Sequence, residues 1–186
     1  SVRHRFDGIE RCDSLVVDPH KWLLSPFDCA ALIYRDPTPA RLAHTQHAGY
    51  LDAIIDDAVY NPADHAHVLT RRARGVPFWF SLAVHGTDAY RDAIEQTLSV
   101  ARATRDLVVA AEYLELLVEP ELSVVAFRRR GWGADDYQAW CDRLMADGTA
   151  MLTPTTFEGS PAMRVCIINP RTTLDDLVEI FATLEP

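Results

Sequence analysis

The first third of the chain alternates short apolar runs with breakers, and the rest carries longer periodic stretches. Residues 12–17, Cys-Asp-Ser-Leu-Val-Val, end in β-branched residues and predict a short strand, which Asp18-Pro19 stops. Residues 29–34, Cys-Ala-Ala-Leu-Ile-Tyr, predict a second strand, close enough to pair with the first as a hairpin-like unit. Residues 37–43 predict a short helix or turn. Residues 44–61 show no clean period, and a connection of that length in a compact domain is usually functional or mobile.

From Pro77 to Val84 the chain is apolar on nearly all sides, which predicts a buried helix. Gly86 interrupts it, and Thr87 with Asp88 supplies an N-cap and an acidic first turn. Apolar positions at Ile94, Leu98, Ala101, Leu107 and Val108 predict one amphipathic helix over residues 88–111. Strands are expected at 114–118, 122–128, 151–155 and 162–168. Helices are expected at 135–147, ended by Gly148, and from Leu174 to about Leu184, capped by Thr173. The sum is α/β in the first part and a small α+β unit in the second, with a boundary near Gly86. That gives domains of residues 1–86, containing a mobile loop at about 44–61, and residues 87–186.

Composition narrows the classes of function. Apolar residues make up 48% of the 186, enough for a sizeable core. A formal charge of -9 disfavours nucleic acid and anionic membrane surfaces as partners. The run Arg128-Arg129-Arg130 reads as the solvated end of a strand. Cys12, Cys29, Cys141 and Cys166 are widely spaced, with no Cys-x-x-Cys pair. They read as small core residues in a reducing compartment. With no signal peptide or membrane-length apolar run, the expected location is cytoplasmic. His44, His47, His65 and His67 lack Cys or Glu companions at ligand spacing, so no metal site is expected.

One residue stands apart chemically. Of the eighteen basic residues, Lys21 is the only lysine. Arginine serves as well as lysine on many solvated surfaces. It cannot serve where an amine must lose its proton and condense with a carbonyl. Lys21 lies in an apolar setting, Pro19-His20-Lys21-Trp22-Leu23-Leu24. A lone lysine there is either a reactive amine or a chance survivor that snorkels to water.

The segment from Asp13 through Pro19-His20-Lys21-Trp22 to Leu24 resembles the cofactor-lysine segment of the group II pyridoxal-phosphate-dependent amino-acid decarboxylases. The following Phe27-Asp28-Cys29-Ala30-Ala31 is similar to the aromatic-amino-acid branch. A weaker likeness runs on through Arg71-Arg72, Phe127-Arg128 and Arg164-Val165-Cys166-Ile167. The resemblance implies the carboxyl-terminal portion of such an enzyme. The fold would be type I of the pyridoxal-phosphate-dependent transferases, with the end of the large cofactor domain followed by a small α+β domain. It implies pyridoxal 5'-phosphate as cofactor, held as a Schiff base on Lys21, with His20 and Asp18 beside it and His20 near its phosphate. It implies a mobile loop carrying Tyr50 in Ala48-Gly49-Tyr50-Leu51, whose phenol would return a proton to the substrate carbon. Arg71 and Arg164 match family arginines that could bind a substrate carboxylate or form structural ion pairs.

The implied reaction takes an L-amino acid, aromatic or similarly bulky, to its amine and carbon dioxide, in a homodimer. A carbon-carbon lyase or aminotransferase of the same fold would also keep Lys21. A third possibility is an inactive carboxyl-terminal fragment that serves only dimerisation. In the family, an aspartate that pairs the cofactor's pyridine, a ring-stacking histidine and the main phosphate loop precede this region. The activity is therefore expected of a longer polypeptide or an assembly.

Overall fold

The computed structural model describes residues 1–46 and 60–186. The chain divides into two compact units, one of Arg3–Val84 and one made up of Ser1–Val2 and His85–Pro186.

In the Arg3–Val84 unit, β1 (Ser14–Val17) and β2 (Ala31–Tyr34) pair antiparallel, with Ser14 opposite Tyr34 and Val17 opposite Ala31. This is the hairpin-like unit expected from the two apolar runs. The linking segment is tied by its own backbone. The Lys21 amide donates to the Asp18 carbonyl (3.0 Å), that of Leu24 to Lys21 (3.2 Å) and that of Ser25 to Pro19 (2.9 Å). Helix α1 (Thr38–His44) follows, with a proline in its first turn, where the missing N–H costs nothing. A 3-10 turn, Pro62–His65, is capped by Asn61, whose side chain accepts from the Ala63 amide (3.0 Å).

Helix α2 (Gly75–Ala110) contains one non-helical residue, Gly86, at φ 75° and ψ 162°. Side chains rarely adopt that φ, so glycine marks the break. The stretch before Gly86 corrects the expectation of a buried helix: Trp79 is 66% exposed, Phe80 62% and Val84 61%. An apolar run is buried only where polypeptide surrounds it, and the pattern alone names no such neighbour.

Beyond Gly86 the buried positions of α2 are Thr97, Leu98, Val100, Ala101, Thr104 and Val108, a single stripe at helical spacing. Two threonines are buried there because their hydroxyls donate within the helix, Thr97 to the Ile94 carbonyl and Thr104 to that of Val100 (2.8 Å each). The stripe belongs to a core shared with an antiparallel sheet of order β3-β4-β6-β5 (Leu114–Leu116, Val124–Arg129, Ser160–Cys166 and Pro154–Phe157). Val125, Phe127, Met163 and Val165 are buried in it, with Tyr137, Trp140, Cys141 and Leu144 of α3 (Ala134–Ala146) and Leu177, Ile180 and Phe181 of α4 (Leu174–Ala182). Thr173 caps α4 reciprocally: its hydroxyl accepts from the Asp176 amide (3.3 Å), and its own amide donates to the Asp176 carboxylate (2.8 Å).

Two further expectations need correction. Arg128 and Arg129 are not a solvated strand end. Arg128 donates to the carbonyls of Phe157 (2.9 Å) and Pro161 (3.3 Å). Arg129 donates to the Leu184 carbonyl (2.9 Å) and lies 5.2 Å from the Tyr113 ring centroid and 5.7 Å from that of Trp132. Charge counting missed this because a guanidinium is flat and weakly hydrated, and it can cover aromatic rings while satisfying main-chain oxygens. Of the four cysteines, all free, only Cys29 and Cys141 are buried. Cys166 falls on the outward phase of β6, two residues beyond outward-facing Arg164.

Candidate functional site

The hairpin delivers three of the sequence-selected residues to one turn. Val17 ends β1, Pro19 is buried, and the main-chain bonds of residues 18–25 fix the path between them. Asp18 and Lys21 sit three residues apart on this turn, so their side chains meet. Lys21 Nζ donates to Asp18 Oδ2 at 2.5 Å, with 65% of the lysine side chain and 32% of the aspartate side chain exposed. The hydrogen bond from Lys21 holds the Asp18 carboxyl below the usual carboxylate range and outweighs the opposing effect of burial, with the charges of Lys21 and His20 adding smaller contributions in the same direction.

His20 points into the hairpin end. Its Nδ1 is 2.5 Å from the Cys29 carbonyl and 3.1 Å from the Cys29 amide nitrogen. A protonated Nδ1 donates to the carbonyl, and a bare one accepts from the amide. In both tautomers Cys29 holds the ring by Nδ1 and leaves Nε2 for another partner. The ring also meets Phe27 edge-on, with centroids 5.3 Å apart. Ser25, on the same turn, buries a hydroxyl that has no hydrogen-bond partner among the described residues. Nothing in the sequence singled it out, since a serine between Leu24 and Pro26 reads as an ordinary turn residue.

The other candidates lie elsewhere. Arg71, in the same unit, donates to the Pro62 carbonyl (2.6 Å) and lines a concavity of about 880 Å³ with Leu32, Tyr34, His44, Tyr60 and His65, among others. Asp18, His20 and Lys21 do not line it. His65 stacks on Tyr60 there, with ring centroids 5.4 Å apart. Arg164 is exposed on β6, in the other unit. Tyr50, with Gly49, His47 and most of the expected loop, lies outside the described residues. Among the described residues no group of three or more His, Cys, Asp or Glu is placed to hold a metal ion.

The turn therefore presents one accessible primary amine, a carboxylate bonded to it, an imidazole fixed by one nitrogen and an unpartnered hydroxyl. An amine in such a place can form a reversible covalent bond with an aldehyde, and the imidazole and hydroxyl can hold an anionic group.

Comparison with known proteins bears on this arrangement. Residues 1–130 match the pyridoxal-dependent decarboxylase conserved domain. The chain is 28% identical over 96% of its length to the aromatic-L-amino-acid decarboxylase of Bacillus atrophaeus, and 34% identical over 93% to the L-2,4-diaminobutyrate decarboxylase of Rhizobium meliloti. It spans 39% and 36% of those proteins. Among solved structures it superimposes on Oryza sativa TDC with PLP and tryptamine. The TM-score is 0.86 and the identity 25%, covering 98% of this chain and 40% of that one. The fold is thus the type I fold expected from the sequence. A match over residues 1–130 that takes in the Pro-His-Lys-Trp turn and the hairpin around it places the chain in the pyridoxal-dependent decarboxylase family.

Proposed function

We propose that the protein to which this chain belongs uses pyridoxal 5'-phosphate to decarboxylate an L-amino acid, and that Lys21 is the residue that holds the cofactor. The observation that carries this reading is the single lysine itself, whose side chain is 65% exposed on a turn fixed by its own main-chain bonds.

The residues present fit such a group. The exposed amine suits its aldehyde. The Nε2 of His20 and the unpartnered hydroxyl of Ser25 are of the type that would satisfy a phosphate. When bound, the cofactor supplies the electron sink that decarboxylation needs. The chain's own residues bind and orient it. Lys21 anchors it covalently. Cys29 fixes the plane of the His20 ring. Phe27, 84% exposed beside that ring, offers an apolar surface that would help exclude water. Tyr50 is the proposed donor that returns a proton to the substrate carbon, since a phenol donates without bringing charge to a dry site. Arg71 and Arg164 are retained as proposed partners of a substrate carboxylate.

An aromatic or similarly bulky amino acid is the proposed substrate, on the likeness of residues 27–31 to the aromatic branch. The relatives' own names extend to diaminobutyrate and histidine, so a substrate panel should include all three types. A homodimer is proposed with it, supported by the exposed apolar residues Val76, Trp79, Phe80 and Val84 on α2. The proposed compartment is the cytoplasm, where the four free cysteines would stay reduced. No helix among the described residues is long and apolar enough to cross a membrane.

Borohydride reduction of the cofactor-loaded protein, followed by digestion, tests the central assignment. The cofactor mass should appear on the peptide containing Lys21 and Trp22 and vanish in Lys21→Ala. Label on another peptide refutes it. Product analysis then separates the chemistries: amine and carbon dioxide support decarboxylation, whereas a keto acid points to an aminotransferase.

A further inference from the structure

The concavity that Arg71 lines has the opposite charge balance to the chain. Its described walls include three arginines, Arg71, Arg72 and Arg74, and three histidines, His44, His65 and His67. No aspartate or glutamate is among them, in a chain with 27 acidic residues against 18 Lys and Arg. Two acids of the same unit are already paired, Asp28 with Arg74 (2.9 Å) and Asp64 with Arg41 (3.2 Å), and neither lines the concavity. Arg71 gives one N–H to the Pro62 carbonyl (2.6 Å) and keeps its others. Among the described residues no hydrogen bond or ion pair engages the side chain of Arg72. A recess walled by one sign of charge focuses the field within it, and a planar guanidinium matches a carboxylate or phosphate edge.

The remaining wall is apolar and aromatic. Ala30, Leu32 and Tyr34 line it at alternate positions, the spacing of one strand face. Leu32 is 50% exposed there, an apolar surface with little protein over it. Tyr60 stacks on His65, whose buried Nδ1 has no hydrogen-bond partner, and such atoms are nearly always satisfied, by a bound group where not by protein. The volume of about 880 Å³ is that of a small-molecule site.

We propose that this concavity binds a small organic oxyanion: an apolar or aromatic body, seated on Leu32 and Tyr34, that carries one carboxylate or phosphate, held chiefly by Arg72. An amine of the same shape is repelled by the arginines, and a bare inorganic anion leaves the apolar wall uncovered. Asp18, His20 and Lys21 do not line the concavity, so the inference does not rest on the assignment of Lys21.

Isothermal titration calorimetry of the whole protein tests it, with phenyl phosphate and phenylacetate as probes. Phenethylamine is the cation of similar shape, and inorganic phosphate the anion without the body. At least one aryl anion should bind saturably, and the tighter of the two identifies the head group. Phenethylamine and inorganic phosphate should bind at least about tenfold more weakly. Arg72→Ala removes an exposed side chain and should weaken the aryl anion about tenfold or more, the scale of one charged hydrogen bond. Leu32→Asp, which puts an acid on the half-exposed wall, should abolish binding; circular dichroism checks that both variants fold. Lys21→Ala should bind like the parent. Equal affinity in the parent, Arg72→Ala and Leu32→Asp overturns the site, as does the absence of saturable binding of either anion at millimolar concentrations. Binding lost in Lys21→Ala but kept in Arg72→Ala overturns it too, by moving the anion to the Lys21 turn, and leaves the assignment of Lys21 standing.

Discussion

Arg129→Ala separates two readings of the arginine run at the end of β4. Arg129 donates one bond to the main chain of Leu184, which is fully buried, and another to the Arg130 carbonyl (2.8 Å), with its guanidinium over Tyr113 and Trp132. A charged hydrogen bond to a buried carbonyl contributes about 2 kcal/mol once the cost of leaving that oxygen unpaired is included. The two cation–π contacts together add about 1 kcal/mol at a partly exposed site. The loss in Arg129→Ala should therefore be about 3 kcal/mol. A solvated strand end would change stability by no more than about 0.5 kcal/mol. Arg129→Lys keeps the charge but loses the planar fork, so it should recover less than half of the loss. Urea unfolding followed by tryptophan fluorescence measures it, in a background where Trp22 and Trp79 are phenylalanine and the signal comes from Trp132 and Trp140. A loss below about 0.5 kcal/mol for Arg129→Ala, with an unchanged urea slope, would refute the assignment.

Three other outcomes follow from the same unit. Phe127→Ala removes a fully buried ring packed 5.0 Å from that of Phe181, and should cost about 3–5 kcal/mol in the same urea experiment. Thr173→Ala removes the cap of α4 and should cost about 1 kcal/mol, with Thr173→Ser close to neutral; thermal unfolding by circular dichroism checks both. The Thr173 amide, then its side chain, hold the Asp176 carboxyl below the usual carboxylate range. A group whose folded pKa lies below its unfolded value stabilises the fold above the unfolded pKa, and that contribution disappears as pH falls through the folded one. Stability measured from neutral pH down into the acid range should therefore fall less steeply in Asp176→Asn than in the parent, and identical slopes would count against the cap.

Much of the architecture was legible because it rests on local rules. Two short apolar runs, each stopped by an Asp-Pro pair at or just after its end, marked the hairpin, and Thr173 marked the start of the last helix. The strand expected at 151–155 forms instead as Pro154–Phe157, three residues later, because pairing with β6 sets its register and the chain leading into it carries no such signal. The apolar residues of 77–84 and the arginines of 128–129 were misread for a common reason: burial depends on what comes alongside, which periodicity does not specify. For the site, the unique lysine and its resemblance to a known segment singled out Lys21, and the proline-bounded turn explains why Asp18 and His20 accompany it. Ser25 was invisible, because an unpartnered hydroxyl is a property of its surroundings and not of its spelling.

The sheet order β3-β4-β6-β5 leaves two rims, and both are poor templates for another strand. One, β3, is three residues long, and the other, β5, is four residues long and opens on Pro154, which has no N–H to offer. Recruitment of foreign β-structure along this sheet is thereby discouraged, so a preparation that precipitates on mild warming should do so through some other surface, the bare aromatic stretch at Trp79 and Phe80 being the first place to put a charge.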